Sequence, residues 1–466
     1  MKRFGIISGI ILGILILIFI LGTSFVKRTS YYEEDYYKNT LARLDSIKTA
    51  SFSEFDSIEA GFAKVSITPS LQNNADNYSE GKFIRVPLAG FGDRKGKYAT
   101  GVHDSIFVKA VALKVKSQLL VLISTDLLIM PPNITDSLAL LLSQDGIQRN
   151  QLFFSATHSH SSLGGWASGF IGDQFAGSEN KNIQKWIIIQ VRKAVNEAVA
   201  DLSPASMATG SFNAGMYTRN RVNEETGTKN DDFTYLVIEQ NKGKKAIIGS
   251  FSAHATTMGA DNMEFSADYP GYWERKVENG YADIALFFAG SVGSQSAVGK
   301  GDGFERSRFI GESMADSLIT RLPNVKLNKT ITLSSVSLKV QLPEFHVRIT
   351  TKINLSSWLS SKLMPLPQNV YFQAIRIGDM LWITTPCDFS GEYALQIKNS
   401  LQAIGFSSFV TSFNGSYIGY VVPGRYFYKD SYESKLMGWF GPNMGDYAMD
   451  LIGQISKIVI TPENIR

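Results

Sequence analysis

Cysteine is almost absent from these 466 residues: Cys387 stands alone. A disulfide framework and every multi-cysteine zinc or iron–sulfur site are thereby excluded. Histidine is scarce as well, with five, at positions 103, 158, 160, 254 and 346, so a bound metal has to draw on imidazole, carboxylate or phenolate donors. An excess of one charge is also missing. The 46 basic and 42 acidic residues leave +4, too small and too evenly scattered for a nucleic-acid footprint. What remains is the composition of an ordinary globule, 44% hydrophobic and 19% charged, with 29 Phe and 19 Tyr. At roughly 150 residues per domain the length allows up to about three domains and a well-buried core.

One apolar run is long enough to cross a bilayer. Phe4 to Leu21 is apolar or Gly apart from Ser8, with Lys2 and Arg3 before it and Lys27 and Arg28 after it. At about 1.5 Å per residue it nearly spans the roughly 30 Å hydrocarbon layer, and Phe25 and Val26 extend it. A helix packed on a domain surface would carry a polar face; nothing polar interrupts this run on any face, and a bilayer span is favoured over a buried core helix. The run 1–28 reads as an uncleaved anchor or a long signal peptide, and because no small-x-small cleavage pattern follows, the anchor is favoured. The flanking charges barely decide orientation. A short basic segment before an apolar run is how export begins, which places the following domain on the extracytoplasmic side. Residues 29–58, with Tyr31, Tyr32, Glu33, Glu34, Asp35, Tyr36 and Tyr37, read as a polar, partly helical stalk.

The remainder, 59–466, alternates β and helical patterns. Strands are expected at 107–115, Leu119–Thr125, Leu152–Ala156, 206–212, 233–240, 246–252 and Ile284–Ala289. Helices are expected at 132–145, 183–200, 270–279 and 304–321. This predicts an α/β fold of mixed sheets packed with helices. From about 328 strands predominate, before a helix at 390–403, a strand at 407–412 and a last helix at 445–458. A smaller β-rich part is therefore expected towards the C-terminal half.

Ligands in α/β sheets gather beyond the carboxyl ends of strands. Three segments place polar residues there. In Phe153-Phe154-Ser155-Ala156-Thr157-His158-Ser159-His160, an extended chain after Ala156 would put both imidazoles on one side. Gly164-Gly165 lets the backbone turn close by. An H-x-H pair alone serves equally as a hydrogen-bonded structural pair. The run Ile247 to Ser252 ends at His254, which taken singly fits a buried core histidine as well as a ligand. Leu381 to Thr384 leads to Asp388, and here either Asp388 or Ser390 would also serve as the N-cap of the next helix.

These motifs, in order, resemble the neutral (non-lysosomal) ceramidases, zinc amidases that cleave the N-acyl bond of ceramide. The resemblance runs from about Gly61 to Ile458. Ala63 to Pro69 is similar to the family's opening strand and Thr100-Gly101-Val102-His103-Asp104 to its T-G-I-H segment. Ala156-Thr157-His158-Ser159-His160-Ser161 with Gly164-Gly165 resembles A-T-H-T-H-S-x-x-G-G. His254 to Met258 is similar to H-P-T-S-M, Pro386 to Phe389 to P-x-E-F, and Tyr420-Val421, Tyr432-Glu433 and Gly441-Pro442 to Y-V, Y-E and G-P.

Position by position, the resemblance implies zinc held by His158, His254, Asp388 and Tyr420, with His160, Arg221 and Tyr432 beside it. Arg219 is the fallback for Arg221. Zinc accepts this donor set at about 2.0–2.2 Å. Asp388 stands where the family has Glu, one methylene longer. The family's serine loop, G-D/N-x-S-P-N, maps onto Gly290 to Ala297 and gives Ser296, but the preceding Asp or Asn and the following Pro-Asn are absent, which leaves Ser294 and Ser291 open. The resemblance implies hydrolysis of a ceramide-like lipid to a sphingoid base and a fatty acid, with no nucleic-acid partner. Another N-acyl or ester substrate, or a catalytically weak lipid-binding envelope protein, are the alternatives. Family members usually carry a further β-sandwich domain, for which no counterpart is expected here. His103 reads either as a histidine supporting the site from behind the ligands or as a structural one, His346 as a surface residue and Cys387 as a small buried filler.

Overall fold

The computed structural model describes residues 19–48 and 53–461, together with Ile7, Ile10, Gly13, Ile16 and Leu17. Most of the anchor run Phe4 to Leu21 lies outside the described residues. Among the described residues no helix is long and apolar enough to cross a membrane.

Twelve strands share one sheet: β1 (Ser53–Ser66), β2 (Phe107–Val115), β3 (Gln118–Thr125), β4 (Leu152–Ala156), β5 (Ser203–Asn213), β6 (Asp232–Gln240), β7 (Lys245–Phe251), β8 (Ile284–Ala289), β9 (Thr330–Lys339), β10 (Tyr371–Ile377), β11 (Met380–Thr384) and β12 (Ser407–Thr411). The long β1 is the junction. Residues 59–66 pair with β2, residues 58–60 with β5, and residues 53–57 with β9. Strands β9 to β12 are thus a continuation of the same sheet. The β-rich part expected there exists, without a boundary of its own.

Helices α1 (Asp35–Lys48), α2 (Pro132–Gln144), α3 (Lys181–Ala200), α4 (Asp268–Glu278), α5 (Gly303–Ile319), α6 (Gly391–Gln402) and α7 (Met444–Ile460) cover the outer faces. Their apolar residues recur every three to four positions, as Ile183, Ile187, Val191, Ala194 and Ala198 do along α3, so each buries one stripe. Helices α2 and α3 cover β1 to β4, helices α4 and α5 cover β6 to β8, and helices α6 and α7 cover β9 to β11. An inner core of Phe62, Leu113, Phe153, Leu286, Phe288 and Trp382 fills the space around which the sheet curls. Burying a large side chain of this kind stabilises the fold by roughly 1.5–3 kcal/mol.

The pairing directions position the site. Only three pairs in this sheet are parallel: β3 with β4, β7 with β8, and β11 with β12. Parallel neighbours need a crossover, and α2, α4 and α6 supply the three. Six strand ends therefore emerge on one rim.

Within the expected stalk, residues 29–48 depart from that reading by packing on the domain. Tyr31, Tyr37 and Leu44 are buried in the same cluster as Tyr447 of α7, where Thr40 Oγ1 meets Tyr447 Oη at 2.9 Å and Tyr37 donates to Asp450 at 2.8 Å. Tyr31 and Tyr37, which look polar in sequence, bury their rings, and Tyr37 keeps its hydroxyl paired, while Tyr32 stays exposed. Just before them Thr23–Phe25 pairs antiparallel with Ile353–Leu355.

The curl is pinned by a buried charge. Lys109 on β2 donates to Ala285 O on β8 (2.6 Å) and pairs with Glu274 (2.8 Å) and Glu278 (3.3 Å) of α4. Removing only the cation leaves Glu274 charged and buried, which costs about 3–5 kcal/mol. Lys109→Met is expected to lower unfolding stability by that amount in denaturant titration, and adding Glu274→Leu to restore most of it.

Candidate functional site

His158 and His160 follow β4, His254 follows β7 and Asp388 follows β11. Their partners come from the other strand ends: Leu128 after β3, Val292 after β8 and Phe413 after β12. His158 does not continue the strand as an extended residue. Its φ is +63°, a left-handed conformation that costs an L-residue roughly 1–2 kcal/mol, and it is held there by a 2.7 Å hydrogen bond from Nδ1 to Leu128 O and by stacking on Phe413 at 4.4 Å. The sharp turn, and not an extended segment, brings the rings of His158 and His160 together edge to face, 4.7 Å apart.

His254 is fixed in the same way, with Nδ1 facing Val292 O at 2.8 Å and Gln295 O at 3.2 Å. Donation from Nδ1 leaves the Nε2 lone pair of both imidazoles pointing inward, the tautomer a metal ligand needs. Asp388 Oδ1 stands 3.5 Å from His158 Nε2 and 3.2 Å from His254 Nε2, and Tyr420 Oη lies 2.8 Å from His254 Nε2. Donors spaced about 2.0–2.1 Å from one ion are about 3.3 Å apart in a tetrahedron, close to these separations. Asp388 and Tyr420 sit opposite each other in a short parallel pair, Asp388–Phe389 with Tyr420–Val421. The competing cap role falls to Ser390, whose hydroxyl accepts from Glu392 N at the start of α6.

Asp388 is fully buried. Its Oδ2 accepts from Tyr417 Oη at 2.7 Å, while Oδ1 has no hydrogen-bond donor among the described residues. A buried carboxylate oxygen without a donor, facing two imidazole lone pairs, fits a cation. The three histidines His158, His160 and His254 offer nitrogens all within 4.8 Å of one another, and this buried group could itself hold a metal.

Electrostatics agree. Burial pushes His158 down to about 3 against the pull of Asp388, and pushes His160 and His254 well below the ordinary imidazole range. Burial holds Asp388 above the usual carboxylate range, opposed by His158, and raises the Tyr420 phenol well above its ordinary value, with Asp388 adding to the rise. Neutral imidazoles are metal ligands, and a cation would favour the ionised forms of Asp388 and Tyr420.

Beside the donors, Arg221 donates to Tyr420 Oη (2.9 Å) and pairs with Glu433 (2.8 Å). Arg219 is exposed and faces Glu224, so the geometry selects Arg221. Tyr432 lies against Tyr420, ring centroids 5.8 Å apart, on a single π-helical turn over Tyr432–Leu436. His160 Nε2 is 3.2 Å from His158 Nε2, and its buried Nδ1 has no partner among the described residues.

In the serine loop, Ser291 bonds Ser252 (2.8 Å) and Ser294 accepts from Gly391 N (2.9 Å), so both hydroxyls hold the loop together. Ser296 is half-buried, bridges to the backbone of His254, and its Oγ makes no hydrogen bond among the described residues.

Several contributors escaped sequence reasoning. Tyr417 and Glu433 act through side chains whose partners are distant in sequence; Glu433 stood next to a chosen residue, whereas Tyr417 had no signal. Arg94 is buried under the H-x-H turn, donating to the carbonyls of His160 and Ala89, the latter at 3.1 Å. His103 lies elsewhere, stacked on Phe304 at 3.6 Å. His346 is not at the surface: it is half-buried, with Nδ1 3.1 Å from Leu355 O and near Ser24. Cys387 is buried, as a small filler would be.

Residues 79–302 match the family model of neutral/alkaline non-lysosomal ceramidase, N-terminal. The crystal structure of neutral ceramidase from Pseudomonas aeruginosa superposes with a TM-score of 0.71 at 17% identity, covering 88% of this chain and 75% of that one. A ceramidase complexed with C2 gives 0.72 at 17%, covering 86% and 75%. No curated protein sequence matches.

Two outcomes follow from this geometry. Replacing Tyr417 by Phe frees Asp388 Oδ2 and is expected to weaken the binding of an added divalent metal by about 10–100-fold in a chelator competition. Because the folded-state value of His158 lies below its ordinary 6.5, the unfolded chain takes up more protons in acid. The metal-free protein should keep its full stability above about 6.5 and lose it as pH falls towards about 3, measured by thermal melts across that range.

Proposed function

Since this chain belongs, through residues 79–302, to the neutral/alkaline ceramidases and so to the amide-bond hydrolases, we propose that it is a zinc-dependent enzyme cleaving the N-acyl bond of ceramide-like lipids to a sphingoid base and a fatty acid. The observation that carries this is the buried Oδ1 of Asp388, without a donor among the described residues, facing the Nε2 atoms of His158 and His254 beside Tyr420. Those four residues would hold the ion. Zinc there would supply Lewis acidity at the amide carbonyl.

The chain's own residues supply the rest. His160, kept neutral by burial, accepts the proton of the attacking hydroxyl and returns it to the leaving nitrogen. Amines leave poorly unless protonated, so this return matters as much as attack. Arg221, held between Tyr420 and Glu433, and Tyr432 donate to the oxygen that becomes negative at the tetrahedral stage. Two hydroxyls suit the attack, water and the free Oγ of Ser296, and Ser296→Ala separates them by abolishing or sparing turnover. The apolar run Phe4 to Leu21 tethers the domain to the membrane on its extracytoplasmic side, next to a lipid substrate. Asp388 in place of Glu and the altered serine loop favour, as a second reading, another N-acyl or ester substrate, or a metal-bound lipid-binding protein with little turnover.

Metal analysis of the full chain is expected to give about one zinc per molecule. His158→Ala and His254→Ala should lose both zinc and amidase activity, whereas Arg221→Ala should keep the metal and lose about 10²–10³ in kcat. Full activity after chelation and in both histidine variants would overturn the reading.

A further inference from the structure

The chain leaves the apolar run through a clasp. Ser356 N donates to Gly22 O and Val26 N to Lys352 O, each at 2.9 Å, on either side of the Thr23–Phe25 and Ile353–Leu355 pairing. The helix Ser357–Leu363 begins at once, so Leu359 sits beneath Gly22. Its Trp358 is 66% exposed, an expensive place for an indole on a face turned to water. A second helix, Gly169–Ala176, meets the end of the first, with Gly169 against Pro365 and Leu363, and presents Phe170 at 67% exposure. Phe25 on the clasp is 83% exposed, and the side chains of Ile16, Leu17, Phe19, Ile20 and Leu21 just before it are exposed too. Lys352 and Lys362 are exposed beside them.

The same elements touch the catalytic side. Phe175 O of the second helix accepts from Gly90 N at 2.9 Å, and Gly90 abuts the backbone of His160. On the other flank His346 N donates to Trp439 O at 3.0 Å, next to the turn that carries Tyr432.

We propose that Phe25, Trp358 and Phe170 form a membrane-docking face, seated in the interfacial layer of the bilayer that receives the N-terminal apolar run. An indole and phenyl rings suit that layer, and exposed lysines suit an anionic lipid surface. The clasp sets the orientation: the apolar run ends where the face begins, so the bilayer that takes one takes the other. A lipid then reaches the His160 side without crossing water. This surface goes beyond the metal and amidase reading and does not depend on it.

The test uses full-length protein in vesicles of phosphatidylcholine and phosphatidylglycerol. Nitroxide labels are placed by Trp358→Cys, Phe170→Cys and, as a reference, Ile404→Cys. Ile404 is 58% exposed ahead of β12, at the end of the sheet away from the site, and the native Cys387 is buried against labelling. Power saturation should show, at 358 and 170, several-fold more collision with oxygen than with a water-soluble nickel complex, and the reverse at 404. Separately, Trp358→Glu should lower turnover of bilayer ceramide several-fold and leave a soluble short-chain N-acyl substrate unchanged. An aqueous signature at 358 and 170 overturns the proposal. So does spin–spin broadening with little collision of either kind, which would mean that a second copy of the chain covers the face. Absence of amidase activity with a lipid signature at 358 would sink the hydrolase reading alone.

Discussion

Two backbone carbonyls decide what this site can be. Leu128 O and Val292 O each receive the Nδ1 proton of a buried imidazole, which turns the Nε2 lone pairs of His158 and His254 inward. Both carbonyls sit at the ends of strands that run parallel to the strand preceding the histidine they hold. The grip therefore exists only because β3 lies beside β4 and β8 beside β7, and those neighbours are parallel only because α2 and α4 cross between them. The third crossover, through α6, delivers Asp388 with the same logic. Topology and protonation state are one constraint here.

The cost of assembling such a group is visible in its electrostatics. Three imidazoles, a carboxylate and a phenol are buried together, and burial keeps the imidazoles neutral and opposes ionisation of Asp388 and Tyr420. Without a cation this is a cluster of polar atoms with too few donors, as Asp388 Oδ1 shows. Arg221 brings a full positive charge against Tyr420, and Glu433 largely answers it. The shorter side chain at 388 is accommodated by its position: the residue pairs directly with Tyr420 across a short parallel ladder, and Tyr417 fixes its outer oxygen.

Much of this was legible beforehand. Six of the seven described long helices and most strands fall where the periodicities put them, because their apolar stripes face a single sheet and nothing competes with that preference. Motif order picked out His158, His254, Asp388 and Tyr420, and the fold brings these four side chains together. The misreadings have a common cause. Residues 29–58 looked like a stalk because four tyrosines and the acidic residues among them carry no clean period, and the rings of Tyr31 and Tyr37 find a pocket only once α7 exists. His158 was expected in an extended segment because nothing in A-T-H-S-H announces a left-handed residue. The choice among Ser291, Ser294 and Ser296 was open because only hydrogen bonds to Ser252 and Gly391 tell the occupied hydroxyls from the free one.

The order of residues along the chain by itself determined the element types, the donor chemistry and the family, since these depend on local pattern and on side-chain identity. Tertiary structure alone decided that four donors separated by up to 262 residues of sequence, from His158 to Tyr420, face one point, that Ser390 and not Asp388 caps α6, and that Tyr417 and Arg94 belong to the site. The reason is that convergence depends on which strand ends lie side by side. Loop closure brings those ends together through contacts between residues far apart, and no local stretch of sequence carries that information.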